Sequence, residues 1–237
     1  MRVKMKSNKI IFKAQDHHVA EVRMKPVPAS QYIPQWWKDI PKYANDSNKF
    51  EMSPGPSITA KQCAPMFDGL VSGYIIPLWT DILITRQNGV PLIQWNNQTP
   101  AMDVWNSEQS GGVEIPEGFG KEVFKYLHGW TIKTPPGWST LFIHPIGYSN
   151  LPIKAISGIV DTDILDTEIN CPFVIKNNFE GIIEKGTPIA QIIPIKRSNW
   201  MAEYDELESE EYYINIEKMK TKLYGYYRSI RETKSYK

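Results

Sequence analysis

A mainly β fold, a sandwich or distorted barrel carrying an irregular N-terminal arm and a C-terminal amphipathic α-helix, is predicted by three observations. Eighteen prolines and fifteen glycines, nearly all before residue 200, cut the chain into short stretches, which favours short strands over long helices. Between these breakers lie apolar runs of strand length, such as Ile82-Leu83-Ile84 and Ile189-Ala190-Gln191-Ile192-Ile193. From Glu206 onward there is no proline, and Tyr212, Ile216, Met219, Leu223, Tyr226 and Ile230 recur at spacings of 4, 3, 4, 3 and 4. That spacing traces one stripe along a helix.

The chain of 237 residues is 41% hydrophobic and 12% aromatic, with 27 basic against 26 acidic residues and a net charge of +1. Such a chain builds a packed core rather than staying disordered. Its balanced charge gives no field directed at nucleic acid or at an acidic membrane surface. No run approaches the roughly 20 apolar residues of a membrane span. Arg2, Lys4, Lys6 and Lys9 are not followed by the apolar region of a signal peptide. Cys63 and Cys171 lie far apart without metal-type spacing. They read as free thiols in a reducing cytoplasm, with a disulfide as the alternative.

In chain order, Ile10 to Ala14 and Val19 to Arg23 read as a hairpin turning through Asp16-His17-His18. From Pro26 to Pro56, six prolines forbid a long helix or a central strand. This arm holds one helical turn around Trp36 and Trp37 and is pinned to the body by them. Residues 1–60 thus form the N-terminal hairpin and the Pro/Trp-rich arm, ahead of a β domain over 61–200. Pro65 to Leu70 suits a short helix, with proline in its first turn. Tyr74 to Leu78 and Asp81 to Arg86 read as strands, and Asn88-Gly89 as the turn to a returning strand Val90–Trp95. The glycines and proline of 106–120 make an exposed loop. Further strands are expected at 130–133, 139–143, 153–160, 173–175 and 189–195. The closing helix is placed over 203–234, acidic at its start (Glu206, Glu208, Glu210, Glu211) and basic toward its end (Lys220, Lys222, Arg228, Arg231). That polarity matches the helix macrodipole. Its narrow stripe suits either its own β body or a partner helix.

Four short motifs carry a resemblance. Pro136-Gly137-Trp138 opens a strand, His144-Pro145-Ile146-Gly147 ends it, and Gly158 to Asp163 and Gly186 to Gln191 follow in order. Over residues 135–197 this resembles the second half of the dUTPase and dCTP-deaminase fold. The fold implied is a dUTPase-like β-sandwich or distorted barrel. In that family an Arg-Ser-Gly motif and an arginine of Gly-x-Arg-x-Ala-Gln help hold the phosphates, usually with magnesium. Here those positions are His144, Pro145 and Pro188, and proline offers no donor. The tyrosine expected after the second acid is Ile164, and a charged helix replaces the family's glycine-rich arm. Only Asp161, as a water-orienting acid, and Gln191, as a phosphate contact, match functional positions. A second resemblance spans residues 34–200. Lys61 to Asp68, Gly73 to Leu78 and Thr134 to Ser139 look like a domain family of unknown function encoded by bacteriophages and some bacteria.

Two functions follow as expectations. The first is a non-enzymatic phage-type protein acting by assembly or protein binding on a degenerate dUTPase-like scaffold. Its contacts would be Trp36, Trp37, Ile216, Leu223 and Ile230, its partners other proteins or copies of itself. It would need no cofactor and would work in the cytoplasm of the infected or host cell, or in the virion. The alternative is a nucleotide-binding or nucleotide-processing protein with a modified site. Asp161, Asp163 and Gln191 would line it, Trp138 would stack on the base, and magnesium would enter only in this case. Asp161, Asp163 and Asp166 read first as strand caps facing solvent and second as ligands for a hard cation. His17 and His18 read as an exposed turn rather than a metal site, and no base partner is visible for Cys63 as a nucleophile.

Overall fold

The computed structural model describes residues 8–44, 59–105, 107–206, 209–221 and 225–237. The strands begin with β1 (Ile11–Ala14), β2 (Val27–Pro28), β3 (Tyr74–Pro77), β4 (Ile82–Gln87) and β5 (Val90–Trp95). They continue with β6 (Met102–Trp105), β7 (Val123–Tyr126), β8 (Trp130–Lys133), β9 (Trp138–Ile143) and β10 (Ile153–Ala155). β11 (Gly158–Val160), β12 (Cys171–Ile175), β13 (Gly181–Ile183) and β14 (Pro188–Lys196) follow. The helices are α1 (His17–Val22), α2 (Gln35–Asp39), α3 (Ala64–Val71), α4 (Ser107–Ser110), α5 (Ser209–Thr221) and α6 (Gly225–Ile230).

The strands pair antiparallel in separate sheets, and none closes into a barrel. A five-stranded sheet runs β11-β9-β14-β3-β2 and a four-stranded one β10-β12-β7-β6. A three-stranded sheet runs β13-β4-β5, and β1 pairs with β8. One core joins them: Ile76, Phe142 and Ile192 of the first pack with Tyr126, Phe173 and Ile175 of the second, and with Ile82 and Ile84 of the third. The predicted hairpin is present as β4–β5, closed by Gln87↔Val90. Asn88 at φ 53° and Gly89 at φ 81° give the turn the two positive angles that a two-residue hairpin demands.

The N-terminal hairpin is corrected. Residues His17–Val22 form a helix, because the Asp16 carboxylate accepts the Val19 N–H at 2.8 Å and caps it. β1, left without a local partner, pairs with β8 in the register Ile11↔Lys133 to Ala14↔Trp130. The described chain from Arg23 to Pro28 packs on the body. Arg23 is buried, its guanidinium lying over the Trp79 ring at 5.3 Å and donating to Leu127 O at 3.0 Å. β2 extends the five-stranded sheet through β3.

Of the helix predicted over 203–234, residues 207–208 and 222–224 lie outside the described residues. Helix is present in α5 and α6, while 201–206 and 232–237 are not helical. The end of the chain returns onto the body. Arg231 and Lys234 pair with Asp68, and Tyr236 meets the Tyr74 ring edge-on at 5.9 Å. Burial pushes the Asp68 carboxyl up, and the bonds from Arg231 and Lys234 outweigh it, leaving the group below its ordinary value. Among the described residues no helix is long and apolar enough to cross a membrane.

The tightest approach in the sheet is at Gly73, at φ 71° just before β3, where a Cβ would lie 1.9 Å from Ile192 O. Neither the angle nor the space admits a side chain. Gly73→Ala is expected to lower the unfolding free energy by roughly 2 kcal/mol or more. Urea unfolding checks this as a lower midpoint at unchanged slope; a midpoint equal to the parent's contradicts it.

Candidate functional site

Strand register gathers the acids. Val160 ends β11 opposite Thr140 of β9, and Lys196 ends β14 opposite Trp138. The chain beyond both ends emerges at the same end of the sheet, which brings Asp161, Asp163 and Arg197 together. Arg197 Nη1 lies 3.0 Å from Asp161 Oδ1 and 2.8 Å from Asp163 Oδ1, and Nη2 bonds Asp163 Oδ2. Asp163 also accepts the Gly137 N–H at 2.7 Å, and Asp161 accepts the Ser139 hydroxyl at 2.6 Å. The bidentate fork fits carboxylate and guanidinium geometry. Between the acids, Thr162 is buried and its hydroxyl meets those of Thr134 and Thr140 at 2.7 and 2.8 Å.

The Arg197 hydrogen bonds hold the Asp163 carboxyl down at about 2, with further help from the Gly137 amide. Asp163 is therefore ionised opposite the Arg197 guanidinium at neutral pH. Trp138 belongs to this cluster through its backbone, its carbonyl accepting from Arg197 Nη1 at 3.2 Å and from Thr134 Oγ1 at 3.1 Å. Among the described residues there is no group of three or more His, Cys, Asp or Glu side chains arranged to hold a metal ion.

Gln191 stands apart. It pairs with Ile143, four residues along β9 from Ser139, or about 13 Å at 3.3 Å per residue. Its side chain is only 1% exposed. Oε1 accepts the Ile146 N–H at 2.9 Å, and Nε2 donates to Gly69 O at 3.0 Å and Ser72 O at 2.7 Å. A carboxamide with both ends engaged is a joint between β14, the end of α3 and the 144–147 turn. His144 acts alike in that turn: Nε2 donates to Tyr148 O at 3.0 Å and Nδ1 accepts the Ala155 N–H at 3.3 Å. Burial lowers its pKa, which keeps the ring neutral. The structure thus brings Asp161, Asp163 and Trp138 together and leaves Gln191 out.

The expected contact residues also separate. Trp37 is 3% exposed and stacks on Phe67 at 6.0 Å, so it serves the protein's own core. Trp36 is 42% exposed and donates its Nε1–H to Gly147 O at 2.7 Å. Ile216 is half-buried and Ile230 exposed; Leu223 lies outside the described residues. The segment before α5 is far more open, with Trp200, Met201 and Tyr204 at 91, 94 and 95% exposure. Tyr212, Tyr213 and Ile214 of α5 are exposed too. Arg197 and this exposed segment escaped the sequence reading. An arginine just past a buried strand, opposite two acids across an antiparallel sheet, was the available signal for the first.

No protein-family model and no curated protein matches the chain. Among solved structures it is similar to a point mutant of the Staphylococcus bacteriophage 80alpha dUTPase, at 12% identity and a TM-score of 0.38. That match covers 86% of this chain and 100% of that one. A mutant dUTPase from phage phi11 of S. aureus gives the same identity and score over 86% and 99%. Another mutant of the 80alpha enzyme, with dUpNHpp, gives 15% identity and 0.27 over 54% and 88%. All three are phage dUTPases, the family whose motifs the sequence resembles. At such scores the likeness carries no argument about activity.

The Asp163–Arg197 pair makes stability depend on pH. A carboxyl held below its ordinary value when folded favours folding above the unfolded value of about 4. That advantage is lost as pH falls through about 2. The stability difference between the parent and Asp163→Asn is expected to be full at about pH 6 and to shrink between about pH 4 and 2. Urea titrations at each pH measure it, and a difference that stays constant over that range contradicts the assignment.

Proposed function

We propose that this protein works by self-association through residues 198–221, with the β body as scaffold. The observation that carries the reading is the exposure of Trp200, Met201 and Tyr204 on one short segment leading into α5. Contiguous exposed apolar residues of this size mark an interaction surface more often than a bare one. α5 adds a second support. Its residues Tyr212, Tyr213 and Ile214 point in different directions around the helix, and all are exposed. A helix of 13 residues is marginal in water without packing, which supports a partner for α5.

A second copy of the chain suits the charges. Within α5, Glu210 and Glu211 stand in the first turn and Lys218 and Lys220 toward the other end. Two such segments side by side and antiparallel place the acids of each beside the bases of the other. Within α5 the stripe keeps Tyr212, Ile216 and Met219, at the spacings of 4 and 3 that suit such a seam. The nucleotide alternative draws less support, because Gln191 is spent on backbone groups and the two acids on Arg197.

Sedimentation velocity on the intact chain is the test, with Trp200→Ser/Tyr204→Ser/Tyr213→Asp as the variant. These side chains are exposed, so the variant keeps its melting temperature within a few degrees. The parent is expected to sediment as a dimer or larger species and the variant as a folded monomer. A parent that is monomeric throughout, or a variant that assembles as the parent does, overturns the proposal.

A further inference from the structure

The stretch Lys61-Gln62-Cys63-Ala64-Pro65-Met66-Phe67-Asp68 has no part in either preceding site. In the structure it turns through a short 3₁₀ segment, Ala60–Gln62, into α3 and forms one wall of a cavity of about 260 Å³. Trp37 comes from α2, Lys42 from the arm, and Arg228 and Arg231 from the returning C-terminal segment. Four cationic side chains therefore line one small cavity. The carboxylate at its edge is Asp68, shared by Arg231 and Lys234. Among the described residues the cations of this cluster outnumber its acid.

Three of these cations, Lys61, Arg228 and Arg231, are held in place. Lys61 Nζ donates to Trp37 O and to Lys38 O, and lies 5.5 Å from the centre of the Trp37 ring. Arg228 Nη2 donates to Gln62 O at 3.2 Å and Oε1 at 3.1 Å, and Arg231 Nη1 to Asp68. A guanidinium carries five N–H donors, so both arginines keep donors beyond these bonds. Trp37 and Phe67, stacked on each other, supply the apolar side. Cys63, the N-cap of α3, makes no side-chain capping bond and opens on the same cavity. Convergent fixed cations in a partly enclosed cavity match a doubly charged anion.

We propose that this cavity binds a small phosphate ester, the phosphate between Lys61, Arg228 and Arg231 and its ring against Phe67. The volume lies near the lower end of ligand sites, about 300 Å³. A monophosphate fits that scale, and a triphosphate or a dinucleotide exceeds it. A free nucleoside monophosphate and the phosphorylated end of a nucleic-acid strand offer the same chemistry.

Calorimetric titration of the full chain tests this with four probes: thymidine 5′-monophosphate, thymidine, inorganic phosphate and a 5′-phosphorylated oligothymidine. Either phosphate ester is expected to bind one per chain, more weakly at high salt, and at least about 10-fold more tightly than thymidine or phosphate. The better of the two esters identifies the source. Arg228→Ala is expected to weaken binding by about 10-fold or more without moving the ligand-free melting curve. Cys63 reports the place: it is half-exposed and Cys171 is buried, so saturating ester should slow alkylation of Cys63. If neither ester binds, or Arg228→Ala binds as the parent does, or Cys63 reacts at the same rate with ester bound, the proposal fails.

Discussion

The buried carboxamide of Gln191 is the joint on which the arrangement of this molecule rests. It sits in β14, the strand between β9 and β3 in the largest sheet. One side chain there takes an amide from the 144–147 turn and gives two hydrogen bonds to the end of α3. Each of those part-buried backbone groups, left unpaired, would cost about 1 kcal/mol. The bonds fix α3 against the sheet, and α3 carries Phe67, Asp68 and the Cys63 end of the cationic cavity. Asp68 in turn anchors the returning chain through Arg231 and Lys234. The cavity and the exit of the C-terminal segment thus both depend on one polar residue inside the β core.

Much of the body was legible because local chemistry decided it. Asn88-Gly89 needed two positive φ angles and received them, and Pro65 began a helix where proline loses no hydrogen bond. The short helix α1 was not legible as such, because its alternating neighbours look like a strand and its cap depends on one Asp16 bond. β1 found its partner in β8, far along the chain, which no local pattern announces. β6, β7 and β13 were likewise settled by tertiary pairing rather than propensity.

Gln191 shows how a site residue is misread. In a motif it looks like a ligand contact, yet it interrupts a run from Pro188 to Ile192 that is buried throughout. A strand buried on both faces reads as a continuous apolar run, and a glutamine inside it has to be paired within the protein. The same logic separates Trp36 from Trp37: adjacent on α2, one meets solvent and the other the core. Asp161 and Asp163, read as ligands or strand caps, are claimed by Arg197. The surfaces proposed for binding lie on the C-terminal segment and around the cationic cavity.

The central claim, that α5 is completed by a second copy of the chain, is tested most directly by hydrogen–deuterium exchange at several protein concentrations. Amides of Ser209–Thr221 are expected to gain protection as concentration rises, while those of β14 stay constant. Exchange in α5 that is independent of concentration, at levels where the core is unchanged, would contradict the account.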